Sequence, residues 1–282
     1  MCPACVASVG LMAAAAGATS SGGVALLAFR NFSEKQPNKR KGRKMKLAEK
    51  PTEVVSAAEW LVARKDLLNR EKEFSRQRDA LSAARRKLPM VKVENEYVFE
   101  GPDGKETLDD LFEGRSQLII YHFMLGPGWE EGCKSCSYLA DHFDGANWHL
   151  PHRDTTLVVV SRAPLPEIQA YKKRMGWRFK WVSSYGSDFN FDYHVSFTEE
   201  EEKKNKVYYN YETAEFMSDE LPGLSVFYKD EDGNVFHTYS AYARGLDQLV
   251  GTYNFLDLTP KGRDEDPEST MSWVRRHDQY DS

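Results

Sequence analysis

The stretch GWEEGCKSCSYLAD, residues 128–141, sets Cys133 and Cys136 two residues apart, ahead of an apolar run compatible with a helix. Three kinds of chemistry suit that spacing. Thiols so placed can close an intramolecular disulfide and open it again, which makes a dithiol redox pair. The same two sulfurs can supply half of a tetrahedral zinc site. They can also be buried apolar side chains with no chemistry. A metal reading draws on the histidines. His149 and His152 follow Cys136 at a finger-like distance, but only two residues separate them, where the finger pattern wants three to five. His122 and His142 are further candidate ligands. The Gly-Ala-Asn break at 145–147 interrupts the continuous helix that a finger needs.

Composition bounds the alternatives. The chain has 282 residues, a net charge of −5 and four cysteines. That length holds one large domain or two smaller ones. The acidic balance leaves no footprint for nucleic acid. Cysteines in two close pairs do not make a secreted disulfide scaffold; in a reducing compartment such pairs serve redox chemistry or metals. Cys2 and Cys5 flank Pro3 at the terminus and are assigned no chemistry. No phosphate-binding glycine loop, nucleophile elbow or dinucleotide fingerprint is present, so no cofactor is expected.

The elements that must position the pair begin far upstream. Residues 6–29 carry no charge and are long enough to cross a bilayer as a helix, which takes about 20 residues. The following stretch, 30–46, has eight basic residues and one acidic. Basic flanks stay cytoplasmic, which predicts a membrane anchor over 1–32 with everything after it on the cytoplasmic side. The alternative is a cytoplasmic protein started at Met45. Residues 33–51 read as a basic linker. Residues 52–88 read as an amphipathic helix, begun by a Ser56–Glu59 capping box and stopped by Leu88-Pro89. Its charged face reads as solvated and laced with ion pairs.

From residue 89 to 260 the pattern is that of one α/β domain. VKVENEYVFEGPDGKETLDDLF alternates around a Gly-Pro-Asp-Gly turn, as a hairpin does. SQLIIYHFM (116–124) and TTLVVVSRA (155–163) are dense apolar runs, suited to strands buried on both faces. SYLADHFDGANWHL and LPEIQAYKKRMGW read as helices, and FKWVSSY as a further strand. LPGLSVFYKDEDGNVFHTYSAYARGLDQLVGTYNFLDL reads as proline, strand, Asp-Gly turn, strand and helix. Residues 261–282 form a tail of turn and charged residues expected to wrap the domain surface.

These segments, with GCKSCSYLADH, VSRAPLPEIQAYKKRMGW, SSYGSDFNFDYHVSF and LDLTPKGRDE, resemble a bacterial family. It is the domain of unknown function 899, described as predicted thioredoxin-like dithiol–disulfide oxidoreductases, and the resemblance covers about residues 53–266. It implies a thioredoxin-like three-layer fold with a mixed central sheet; the N-terminal helix and the transmembrane segment read above precede it, residues 1–45 lying outside the resemblance. It further implies that Cys133 is the exposed nucleophile and Cys136 the resolving thiol. In such folds a cis-proline faces the pair, and Pro222 stands in that place, offering backbone to a substrate strand. Trp129 is placed to cover the site. The substrate would be a protein or small-molecule disulfide.

Some features oppose that reading. The loop from Met124 to Cys133 is long, and Glu130 and Glu131 would raise a thiol pKa nearby. A peroxiredoxin-like peroxidase is a further alternative, with Arg162 or Arg244 polarising the O–O bond, although GPGWEEGC replaces the PxxxTxxC signature. A non-catalytic binding module would use Tyr208, Tyr209, Tyr211 and Asn210, which more often pack a loop. Asp188, Asn190, Asp192 and His194 suggest a metal shell only weakly, and His237 reads as a structural strand histidine.

Overall fold

The computed structural model describes residues 53–280. The segment 6–29, the linker 33–51, Cys2 and Cys5 lie outside the described residues. Among the described residues no helix is long and apolar enough to cross a membrane.

The chain enters through α1, Ala57–Arg85. Its capping box is formed: the Ser56 side chain accepts from the Glu59 N–H at 3.3 Å, and the Glu59 carboxylate accepts from the Ser56 N–H at 2.9 Å. Those bonds satisfy donors that a helix start otherwise leaves open. No residue of α1 is buried, and Trp60, Leu67 and Phe74 are exposed. Ion pairs such as Arg64–Glu71 (2.9 Å) and Arg76–Glu73 (2.7 Å) run along its surface.

Three short strands follow: β1 (Val91–Lys92), β2 (Val98–Gly101) and β3 (Gly104–Thr107). The Gly-Pro-Asp-Gly turn joins the last two as an antiparallel hairpin. The α/β part comprises β4 (Gln117–His122), α2 (Lys134–Ala140), α3 (Phe143–Ala146), β5 (Thr155–Ser161), α4 (Leu165–Arg174) and β6 (Lys180–Ser183). α5 (Phe189–Asp192), α6 (Glu199–Lys204) and the small hairpin β7 (Val207–Tyr209) and β8 (Glu212–Ala214) lead on. The chain then forms β9 (Gly223–Lys229), β10 (Val235–Tyr242) and α7 (Gly251–Leu256).

The main sheet has eight strands in the order β1-β10-β9-β4-β5-β6-β2-β3. β4, β5 and β6 are parallel, while β9 runs antiparallel to β4 and to β10. The inner segment β10-β9-β4-β5, with a helix between β4 and β5 and another after β10, is the strand order of thioredoxin-like proteins. The alternation of the central strands explains their composition. Ile119 and Tyr121 of β4 and Leu157 and Val159 of β5 face one core; Leu118, Ile120, Val158 and Val160 face the other. Both faces are buried, so both phases must be apolar.

The helices are distributed unevenly. Leu139 of α2, Ile168 and Tyr171 of α4 and Tyr253 of α7 all join the core on the Tyr121 face. The opposite face is covered by the 3-10 turn at Asp110–Phe112, by β2 and by Phe189 of α5. The crossovers through α2 and α4 advance the same way along the sheet, from β4 to β5 to β6, and right-handed crossovers of one direction put their helices on one face. The segment SYLADHFDGANWHL departs from one helix: it forms the end of α2, then α3, then a 3-10 turn at Leu150–Arg153. Asp144 gives the reason, since its carboxylate accepts the backbone N–H groups of Arg178 and Phe179 at 2.9–3.2 Å and ties α3 to the β6 entry.

Candidate functional site

The site begins where β4 runs out. Phe123 N–H still pairs with the Val160 carbonyl (2.9 Å), and Ala163 N–H pairs with that of Leu125 (2.9 Å). The chain then leaves the sheet and returns, and Cys133 N–H closes the excursion on the Met124 carbonyl at 3.0 Å. One bond therefore absorbs the long loop and sets Cys133 back beside the strand end. Gly132 is required there. A Cβ on it would lie 2.6 Å from the Phe123 ring and 2.7 Å from that of Tyr171.

Cys133 is the N-cap residue of α2 and Cys136 lies in its first turn. The Cys133 carbonyl accepts the Ser137 N–H and the Ser137 hydroxyl, both at 2.9 Å. Cys136 lies within hydrogen-bonding reach of the Cys133 sulfur and of the Tyr121 hydroxyl. The two cysteines are thiols, not joined in a disulfide. Both are buried, which corrects the expectation of an exposed nucleophile: Cys133 is 8% exposed and Cys136 1%. The order of exposure is as expected, but the first sulfur is covered by chain that spacing did not reveal. Burial pushes the Cys136 thiol well above its ordinary pKa, and the neighbouring Cys133 sulfur adds to the rise. Cys136 therefore stays protonated until it reacts.

The thiols face a cavity of about 90 Å³. Its walls include Met124, Leu139, Pro222, Leu246, Val250 and Met271. Charged residues also line it: Arg244, Asp247, Arg263 and Glu265. These charges are largely spent on each other and on neighbours. Arg244 and Arg263 both reach Asp247, at 3.1 and 3.2 Å, and Arg263 also pairs with Asp257 at 2.8 Å.

Pro222 is thus brought to the thiols, but not as expected. No peptide bond among the described residues is cis, so the Leu221–Pro222 bond is trans. The trans form is the default for proline by about 0.5–1 kcal/mol. The chain before Pro222 is held extended by the bridge between Ser196 and Glu220 and by the Leu221 N–H on the Val195 carbonyl (2.8 Å), so no reversal is needed. The Pro222 carbonyl accepts the Tyr209 hydroxyl at 2.7 Å, and Ala243 N–H donates to the same hydroxyl oxygen at 3.0 Å. Tyr209 thereby joins two stretches of the cavity wall. Trp129 does not line the cavity; it packs over Gly126 at the edge of the same core.

The roof is the C-terminal segment. Arg276 donates to the Gly132 carbonyl (2.7 and 3.1 Å) and to the Tyr171 hydroxyl (3.0 Å), and it pairs with Glu131 (2.7 Å). Arg174 pairs with Glu131 as well, at 2.5 Å. Glu131 therefore faces two guanidinium groups, which offsets the negative charge expected to oppose a thiolate. Glu265 accepts from Tyr253 (2.6 Å), Trp273 (2.6 Å) and Met271 N–H (3.0 Å). Tyr121, Glu265 and Arg276 were not legible as site residues, and Tyr209 was named only within a tyrosine cluster. Nothing local marks an arginine that reaches a carbonyl 144 positions away.

Beside the cavity lies a second buried polar group. Glu220 accepts from Arg162 and from the Ser196 hydroxyl, each at 2.6 Å. Burial lifts its carboxyl to about 7, although Arg162 acts the other way. Arg162 is thereby committed to Glu220 and is absent from the cavity lining, whereas Arg244 is present.

The remaining candidates do not converge. His149 and His152 are exposed while the cysteines are buried, and among the described residues no three His, Cys, Asp or Glu groups are placed to hold a metal. His122 lies on the far face, where it hydrogen-bonds Ser225 at 2.9 Å, and burial pushes it down to about 3. His237 joins the same chain through Ser240 at 2.8 Å. Asp192 accepts from the Tyr97 hydroxyl (2.7 Å), and Asn190 accepts from Ser184 (2.8 Å), so that group braces a loop.

Sheet order and paired thiols at the head of α2 define an α/β protein of thioredoxin-like architecture. The chain belongs to the family of bacterial proteins of unknown function DUF899, which matches residues 49–280. No curated protein matches it. Among solved structures it is similar to peroxidoxin BcpB from Mycobacterium tuberculosis (12% identity, 58% of this chain and 95% of that chain, TM-score 0.35). It is also similar to a mitochondrial 2-Cys peroxiredoxin from Plasmodium falciparum (15% identity, 57% and 88%, TM-score 0.36). A candidate protein disulfide isomerase from Bacteroides thetaiotaomicron is a further likeness (16% identity, 59% and 91%, TM-score 0.34).

Proposed function

We propose that this protein is a dithiol–disulfide oxidoreductase in which Cys133 is the nucleophile and Cys136 the resolving thiol. One observation carries the reading: the two sulfurs are within hydrogen-bonding reach of each other at the floor of a cavity. Cys133 caps the start of α2 and is the less buried of the two, while burial keeps Cys136 protonated.

The reaction is a two-step exchange. The Cys133 thiolate attacks one sulfur of the substrate disulfide, that S–S bond breaks, and the first thiol leaves with a proton from solvent. Cys136 then gives up its proton and attacks the Cys133 sulfur, and the second thiol leaves. The substrate gains two electrons and the enzyme pair becomes a disulfide. An external low-molecular-weight dithiol restores it and is itself oxidised to a disulfide. The test is disulfide-reductase activity of Cys133→Ser and Cys136→Ser. Loss of turnover in both, with a mixed disulfide trapped on Cys133 in the Cys136→Ser variant, is expected; full activity in Cys133→Ser would overturn the assignment.

A second reading is hydroperoxide reduction, favoured by Arg244 in the wall of the same cavity. Consumption of hydrogen peroxide by the reduced pair, lost in Arg244→Ala, would select it. We propose in addition that residues 6–29 hold the domain at the cytoplasmic face of a membrane, a reading supported by their uncharged run and basic flank. Fractionation of the full chain against a chain begun at Met45 tests it.

A further inference from the structure

A protein disulfide reaches a thioredoxin-like site as an extended strand that pairs with backbone groups beside the first cysteine and the facing proline. In this protein those groups already have partners. The Leu221 N–H is given to Val195 (2.8 Å), the Pro222 carbonyl takes the Tyr209 hydroxyl (2.7 Å), and the Gly132 carbonyl takes Arg276 (2.7 Å). The Cys133 N–H is spent on Met124 (3.0 Å). Among the described residues, these four backbone groups are therefore already engaged and not free to pair with a polypeptide.

The C-terminal segment narrows the approach. Arg263, Glu265, Thr270 and Met271 form part of the cavity wall over the cysteines. Val274 is fully buried in the core that contains both thiols. Arg276, pinned on Gly132, Tyr171 and Glu131, and His277, on Asp141 at 2.7 Å, fasten the far end. What remains is about 90 Å³ with mostly apolar walls, where Arg244 and Arg263 pair with Asp247 and Glu265 is held by Tyr253, Trp273 and the Met271 N–H. Such a chamber accepts a compact body with no net charge.

Resting on the thiol-redox reading above, we propose that the C-terminal segment is a specificity wall. It restricts the Cys133–Cys136 pair to compact, uncharged, low-molecular-weight disulfides and shuts out protein disulfides. The substrate of the exchange is then RSSR with small R, reduced to two RSH while the pair is oxidised, and a small dithiol supplies the returning electrons.

The experiment uses the full chain, with bis(2-hydroxyethyl) disulfide as small substrate, insulin as protein substrate and dithiothreitol as donor. The wild type is expected to turn over the small disulfide and to leave insulin at the background rate. Arg276→Ala, which unpins the wall, is expected to gain insulin reduction by about tenfold or more, since a charge-assisted bond closes the wall. Insulin reduction by the wild type as fast as that of the small disulfide overturns the proposal. So does an Arg276→Ala variant that is folded by circular dichroism and shows no gain. A collapsed variant leaves a second measurement to decide. N-ethylmaleimide is expected to alkylate Cys133 of the native wild type at least about tenfold faster than a polyethylene-glycol maleimide with the same reactive group, a ratio lost in urea. Equal native rates overturn the wall. If both disulfides are left unreduced while the alkylation ratio holds, the redox reading fails and the wall survives.

Discussion

The two ends of the described chain differ in kind. α1 has full local order and almost no tertiary role: its capping box is complete, yet none of its residues is buried. The C-terminal segment has little regular structure, and it is fastened into the core by Val274, Glu265 and Arg276. Regularity and integration are therefore separate properties. A helix can be specified by its own residues through propensity and caps. A strap must be specified by residues elsewhere, because each of its polar groups needs a partner that another element supplies.

Substitutions of one kind in the two regions separate these cases most sharply. Val274→Asp puts a carboxylate into the thiol core and is expected to cost about 4 kcal/mol or more. Leu67→Asp, on exposed α1, is expected to stay within about 0.5 kcal/mol. Urea unfolding of both measures this. Equal losses would mean that α1 packs on something or that the strap does not.

The next effect concerns pH, beside the cavity. Burial raises the Glu220 carboxyl from 4.5 to about 7 in the fold. A raised acid stabilises the native state while it is protonated. That contribution is complete below pH 4.5 and is lost as pH rises through about 7, where the fold must hold a buried charge. The descent is on the order of 3 kcal/mol. Glu220→Gln should flatten it, so the wild type falls relative to the variant across that window. A difference that does not change with pH would refute the assignment.

Smaller again is the strap's internal brace. Glu265→Ala strands the donors on Tyr253, Trp273 and Met271 and is expected to cost about 2 kcal/mol. It should also speed alkylation of Cys133, which a purely local brace would not do. The smallest global effect is expected at the other end. Ser56→Ala removes the α1 cap and lowers helix stability by about 1 kcal/mol locally. Domain unfolding should not register it, whereas far-ultraviolet dichroism should.

The legibility of the sequence followed the same division. β4 and β5 were readable because strands buried on both faces need unbroken apolar runs, as in LIIY and LVVV. The Gly101–Gly104 turn and the Ser56–Glu59 cap were readable because each is complete within four residues. The cysteine pair was readable for the same reason, and so was the place of Pro222 before β9. Its trans bond was not, since it follows from contacts with Val195 and Ser196 on another segment. Burial of the thiols was not legible either, because the wall over them comes from residues 263–271 and leaves no periodic signal. Glu131, expected to oppose a thiolate, became an ion-pair centre once Arg174 and Arg276 arrived from separate elements.

The most direct test is a redox titration of the full chain in defined mixtures of reduced and oxidised dithiothreitol, quenched with an alkylating agent and read by intact mass. The account predicts one two-electron transition in which Cys133 and Cys136 lose both alkylation sites together, and its disappearance in either Cys→Ser variant. Two independent thiols that stay alkylatable at every potential would contradict it.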